Sequence, residues 1–185
     1  MATGFATIGH SNRAPQEIVD MLRADQIDLL IDVRAFPRSR TNPDFNIDRL
    51  PQTLAAFQIG YAHMPDLGGR RPRQPDVDDG CNALWRVRSF HNYADYALGS
   101  TFEAAFRILV ERGREHRAAL MCSEAVWWRC HRRIIVDYLL LRGHEVDHLM
   151  APGRTEPARP TPGTVATPEG KVLYPAPNQS VSIAT

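Results

Sequence analysis

Apolar positions along the first 150 residues switch between a period of two and a period near 3.6, and the switches predict the elements. Residues 5–10, FATIGH, are short, apolar and β-prone and read as a first strand. Pro15 then stands at a first helical position, with Ile18, Met21 and Leu22 at helical spacing. Residues 28–33, DLLIDV, form the nearly continuous apolar run of a strand covered on both faces. After a Pro- and Arg-rich loop, Leu50, Leu54 and Phe57 predict a second helix, and residues 59–64, IGYAHM, a third strand. Residues 65–89 read as a long polar loop opened by Pro65, Gly68, Gly69 and Pro72; loops of this length inside domains are functional or mobile. Ser100 and Glu103 predict a capping box ahead of Phe106, Leu109 and Val110 on one helical face. Residues 118–122, AALMC, are a fourth strand. A helix from about Trp128 to Arg142 follows, with Ile134, Ile135, Tyr138 and Leu139 inward and Gly143 as its stop. Residues 145–150, EVDHLM, are the last strand. This alternation predicts an α/β fold: an open, mostly parallel sheet of about five strands flanked by helices, a Rossmann-like three-layer arrangement.

The pattern stops near Ala151. Residues 1–150 are therefore expected to form a single α/β domain, and residues 151–185, rich in Pro, Thr and Gly, a tail or linker with little periodic apolar surface. Removal of that tail is expected to leave a folded domain, although VLYPAP within it can dock as an irregular strand.

Composition narrows the class without choosing a function. A chain of 185 residues suits one domain with a core that needs no disulfide staples. A net charge of +1 supplies no global field toward nucleic acid or membrane. All but one of the 22 basic side chains are Arg, the exception being Lys171; base composition of the genome accounts for most of them, yet a few placed at a site would suit carboxylate or phosphate. Three cysteines, Cys81, Cys122 and Cys130, do not make a secreted disulfide framework. Without a signal-peptide pattern or an apolar run long enough to span a bilayer, a cytoplasmic protein with no membrane partner is expected. Nothing in the sequence indicates an oligomeric state.

Candidate chemistry gathers where the predicted strands end, which is where open parallel sheets bind ligands. His10 and Ser11 follow strand one, Asp32 and Arg34 close strand two, Asp66, Gly68, Gly69 and Arg70 follow strand three, and Cys122, Ser123 and Glu124 follow strand four. Asp32 and Arg34 lie two apart and face one side. Arg34 then binds an anion while Asp32 orients it or acts as a base, or the two form an ion pair at the sheet edge. On the first reading, Arg34→Ala harms ligand binding more than folding. Ser39 and Arg40 add an anion contact or belong to a solvated loop. Gly68 and Gly69 beside Arg70 suit a phosphate nest and equally a tight turn.

The segment CSEAVWWRCHRR is the richest. Cys122 as nucleophile, His131 or His10 as base and Glu124 as orienter or acid are chemically coherent. Cys130 and Arg132 would contact substrate from the first turn of a helix whose positive end lowers a thiol pKa. Alternatively the cysteines are small buried hydrophobes, Cys130 more readily than Cys122. A phosphatase loop is excluded, because six bulky residues separate Cys122 from Arg129. Cys122, Cys130 and His131 can hold zinc, but in a spacing foreign to common structural sites; no metal and no cofactor are expected. Trp85, Phe90, Tyr93 and Tyr96 near arginines stack a nucleobase or pack in the core.

Taken together, T-x-G-H-S near the start, D-V-R-x-x-P-x-S-R, L-G-G, and C-x-E-x5-C-H-R ending in G-x-x-V-x-H resemble the domain of unknown function 488 family over about residues 5–149. The resemblance implies an α/β fold and a shared site at His10, Ser11, Asp32, Arg34, Ser39, Arg40, Gly68, Gly69, Cys122, Glu124, Cys130, His131 and Arg132, and it supplies no reaction. A long Pro-rich tail is not expected of the family. Two functions remain: a thiol- or carboxylate-dependent hydrolase or transferase acting on an anionic small molecule or nucleic-acid component, and a non-catalytic module that binds a nucleotide or nucleic acid.

Overall fold

Strand residues alternate between two cores. In the computed structural model, which describes residues 4–177, the strand β1 (Gly4–Gly9) turns Phe5 to one side of the sheet and Ala6 and Ile8 to the other. In β2 (Leu29–Asp32), Leu29 and Ile31 join Phe5 while Leu30 joins Ile8. In β4 (Arg117–Cys122), Ala118, Leu120 and Cys122 share the first side, and Ala119 and Met121 the second. Both faces are apolar, so both are covered. The helices α1 (Pro15–Ala24) and α2 (Leu50–Ala55) cover the Ile8 face, and α3 (Arg88–Ala97), α4 (Ser100–Glu115) and α5 (Arg132–Leu141) cover the Phe5 face.

With β3 (Gly60–His63), β5 (Val146–Ala151) and β6 (Arg154–Pro157) the sheet has six strands in the order β3-β2-β4-β1-β5-β6, parallel except for β6. The fold class is the expected mixed α/β arrangement, and all five strands expected from the pattern are present. The order puts the carboxyl ends of β2, β4 and β1 side by side. Register makes them level: Gly9 pairs with Cys122, and Asp32 with Met121. Just beyond, Ser11 N–H donates to the Ser123 carbonyl over 2.9 Å, and the β4 loop crosses the end of β1 so closely that a β-carbon at Gly9 would fall 2.0 Å from the Glu124 carbonyl oxygen. Only glycine permits that crossing.

Three expectations need correction. The residues after 151 are not a free tail as far as the structure describes them. β6 is the sixth strand, β7 (Val165–Ala166) and β8 (Val172–Leu173) form a small ladder, and Tyr174 is fully buried with its hydroxyl donating to Asp137 Oδ2 over 2.8 Å. Few apolar residues were needed, because Val172 and Tyr174 fill the core beside α5, and the Asp137 carboxylate also takes the Thr161 N–H over 2.8 Å. Residues 178–185 of the expected tail lie outside the described residues. The capping box does not form either: Gly99 is the cap of α4, and Glu103 pairs with Arg142 at 2.9 Å and Lys171 at 3.2 Å. Finally, the last part of the expected 65–89 loop is the start of α3. Among the described residues, no helix is long and apolar enough to cross a membrane.

Candidate functional site

Two polar clusters stand at the level carboxyl ends. The first is built by β1 and β2. Asp32 is fully buried, and Arg34 grips both its oxygens, Nε to Oδ1 at 2.8 Å and Nη2 to Oδ2 at 2.6 Å. Nη2 also donates to the Phe45 carbonyl over 2.6 Å, and Nη1 contacts His10 Nε2 at 3.2 Å. Four of the five guanidinium N–H groups are thus committed. Tyr61 adds its hydroxyl to Asp32 Oδ2 at 2.7 Å, while burial and the neighbouring carboxylate push its own pKa above the tyrosine range. The His10 ring stacks on Phe45 at 4.4 Å. Its Nδ1–H donates to the Ser11 carbonyl over 3.0 Å, which leaves Nε2 to accept from Arg34. Burial, aided by the Arg34 charge, lowers the His10 pKa to about 4, so the ring is neutral and both nitrogens are occupied.

The second cluster lies between β4 and α5. Cys122, Cys130 and His131 bring Sγ, Sγ and a ring nitrogen within 4.8 Å of one another. Cys130 is in extended conformation, following a short 3-10 turn at Trp127–Arg129. The Trp127 ring stacks on the His148 ring at 4.4 Å, which pins this turn to β5. Burial also lowers the His148 pKa to about 4, keeping that ring neutral. His131 caps α5, and its Nε2–H donates to the Val33 carbonyl over 3.0 Å, leaving Nδ1 toward Cys130 Sγ at 3.7 Å. Arg132 is buried beneath, with Nε donating to Cys130 Sγ over 3.2 Å and Nη2 to the Glu124 carbonyl. The two neighbouring sulfurs split in acidity. The adjacent Cys130 sulfur, together with burial, pushes the Cys122 thiol up to about 12. Burial works against the Cys130 thiolate, but the Cys122 thiol and the Arg132 charge outweigh it and bring Cys130 down to about 6.

Both clusters face one cleft of about 460 Å³ lined by His10, Arg34, Ser39, Gly69, Arg70, Cys122, Glu124, Cys130 and His131 among others. Most of the residues singled out from the sequence therefore meet, with altered parts. Asp32 is not an available base, because both oxygens accept hydrogen bonds in a sealed environment. His10 is likewise not available as a base. The more acidic thiol is Cys130, not Cys122, because only Cys130 touches the Arg132 guanidinium. α5 begins at Arg132 rather than Trp128, so Cys130 and His131 precede it, and Arg132 supports Cys130 from inside the core. Glu124 is exposed at the rim, where its carboxylate accepts the Val126 N–H over 3.4 Å. Gly68 lies buried against Ala35 and does not line the cleft. At Gly69, a β-carbon would stand 2.9 Å from His131 Nδ1, so the glycine serves the histidine. Arg40 is exposed and Ser11 contributes backbone groups; neither lines the cleft.

The sequence did not single out Arg129, Ser89 or Phe36, all of which line the cleft, or Tyr61, which completes the Asp32 cluster. Phe36 is 70 % exposed, with the Arg70 guanidinium 6.0 Å from its ring centre. Phe90 and Tyr93, seen only as aromatics near arginines, line the cleft from α3, and Tyr93 packs on the His131 ring at 4.9 Å. Helical spacing at positions 90, 93 and 97 was the available signal for that helix. Among the described residues, Arg70 and Arg129 have no carboxylate partner, whereas Arg34 and Arg38 do.

No curated protein and no solved structure matches the chain. A family model described as domain of unknown function DUF488 matches residues 14–139, which span β2, β4, both cysteines of the second cluster and most of α5, and leave out His10 and His148. The chain belongs to the DUF488 family.

Proposed function

We propose that the protein is a thiol-dependent transferase or hydrolase acting on an anionic substrate, with Cys130 as the nucleophile. The observation that carries this reading is the pairing of Arg132 Nε–H with Cys130 Sγ at the wall of an arginine-rich cleft. A thiolate held by a buried cation is the reactive form of cysteine. Arg70 and Arg129 bind the anion. Cys130 Sγ attacks an electrophilic centre, the leaving group departs with its bonding pair, and a proton from the Cys122 thiol neutralises it. Water or an acceptor then displaces the sulfur, with His131 Nδ1 taking the incoming proton and returning it to the Cys122 sulfur, which restores the starting state. Asp32, Arg34 and His10 are positioning residues, acting through β1 and β2 rather than on the substrate.

The test compares two alkylating reagents at pH 7 in buffer containing chelator. The cationic cleft favours iodoacetate over iodoacetamide at Cys130, relative to the ratio shown by free cysteine, and Arg129→Ala together with Arg70→Ala removes the preference. A ratio equal to that of free cysteine would overturn the anionic substrate. A non-catalytic binding module has its own support in the exposed Phe36 beside Arg70, a platform for a nucleobase. That reading expects nucleotide binding with no covalent adduct at Cys130.

A further inference from the structure

We infer that Cys122, Cys130 and His131 form a binding site for a thiophilic divalent cation, zinc, which takes the Cys130 nucleophile out of service. The inference rests on the thiol reading for its consequence and on the donors alone for the site.

Three features carry it. First, the donors converge: the two sulfurs and the ring nitrogen lie within 4.8 Å of one another, with Cys130 Sγ 3.7 Å from His131 Nδ1. Tetrahedral zinc with sulfur at about 2.3 Å and nitrogen at about 2.0–2.1 Å sets donor pairs about 3.6 to 3.8 Å apart. The sulfur–nitrogen pair already has that separation, and the remaining pairs need at most a side-chain adjustment of about 1 Å. Second, the histidine is in the ligating tautomer. Its Nε2–H donates to the Val33 carbonyl, which leaves the Nδ1 lone pair toward the sulfurs. A backbone carbonyl on the far nitrogen is the support that metal-bound histidines use. Gly69 keeps Nδ1 uncovered, since a β-carbon there would come within 2.9 Å. Third, the charges balance. Two thiolates and a neutral imidazole neutralise the dication, and Arg132 Nε–H donates to the sulfur of Cys130 from the protein side. A two-sulfur, one-nitrogen donor set selects zinc over magnesium or calcium, which want oxygen.

Three protein donors leave the fourth position of a tetrahedral ion to the cleft. Binding displaces the Cys122 thiol proton to solvent and places the Cys130 lone pair on the metal, where it no longer attacks carbon. Cys81 stands outside the cluster.

The experiment uses the full chain, reduced and stripped with chelator. One equivalent of zinc is expected to slow Cys130 alkylation by about tenfold or more, with full recovery on adding chelator, while magnesium does nothing. Cobalt in place of zinc is expected to give the intense near-ultraviolet band of thiolate-to-cobalt charge transfer, measurable on the unaltered protein. Cys122→Ser weakens zinc binding about 100-fold or more, and Cys81→Ser leaves it unchanged. Rapid alkylation of Cys130 that zinc does not slow, or a cobalt complex without a thiolate band, would overturn the site and leave the thiol reading standing. A thiolate–cobalt band on a protein whose metal-free Cys130 does not react would uphold the site and overturn the thiol reading.

Discussion

The two polar clusters of the cleft use the same kinds of residue at the ends of neighbouring strands, yet one is closed and the other open. Asp32, Arg34 and His10 spend all but one Arg34 N–H of their hydrogen-bonding capacity on one another, on Tyr61 and on two backbone carbonyls, those of Phe45 and Ser11. Cys122, Cys130 and His131 retain unspent capacity: a sulfur held by a cation and a ring nitrogen with a free lone pair, both facing the cleft. Position at a strand end does not separate scaffold from chemistry. The degree of hydrogen-bond saturation does, because a nearly satisfied buried network resists change, and an unsatisfied one is poised to take a ligand.

Breaking the closed cluster should cost most. Arg34→Ala strands the buried Asp32 carboxylate and is expected to lower stability by about 3–5 kcal/mol, read from denaturant midpoints. This reverses the expectation that the arginine serves the ligand more than the fold. A wild-type midpoint with lost anion binding would place Arg34 in the open cluster. Tyr174→Phe tests a second closed cluster, whose Tyr174 and Asp137 do not line the cleft. Loss of its hydrogen bond to Asp137 is expected to cost about 1–2 kcal/mol without changing Cys130 reactivity. The smallest effect is in acid. Hydrogen bonds from Arg142 and Lys171 hold the half-exposed Glu103 carboxylate below the usual glutamate range. Its stabilisation is therefore present above its unfolded pKa and lost as pH falls through the folded one. Between about pH 5 and 3, wild type should lose slightly more stability than Glu103→Gln; equal losses would show those contacts to be fully screened.

The sheet was legible because both its faces are apolar and each strand is bounded by Gly, Pro or a polar residue. The added strand β6 was not, since RTEP carries no apolar alternation and takes its place by backbone pairing with β5. For the site, strand ends located His10, Arg34 and Cys122 on the cleft. They could not assign roles. The acidity of Cys130 depends on Arg132 reaching it from beneath, and the helix register expected from residues 128–142 put both in a first turn that does not exist. His148, which entered only as the end of a motif, pins the loop that carries Cys130 by stacking on Trp127. Contacts across 21 residues of sequence leave no local pattern to read.

Peptide mapping after limited alkylation tests the division between the clusters most directly. With substoichiometric iodoacetate at pH 7, in chelator, Cys130 is expected to carry the label first, by about tenfold over Cys122, as its contact with the buried guanidinium requires. Cys130→Ser should then remove nearly all fast labelling while keeping a cooperative unfolding transition. Label on Cys122 or Cys81 with Cys130 untouched would contradict the assignment of the open cluster and its nucleophile.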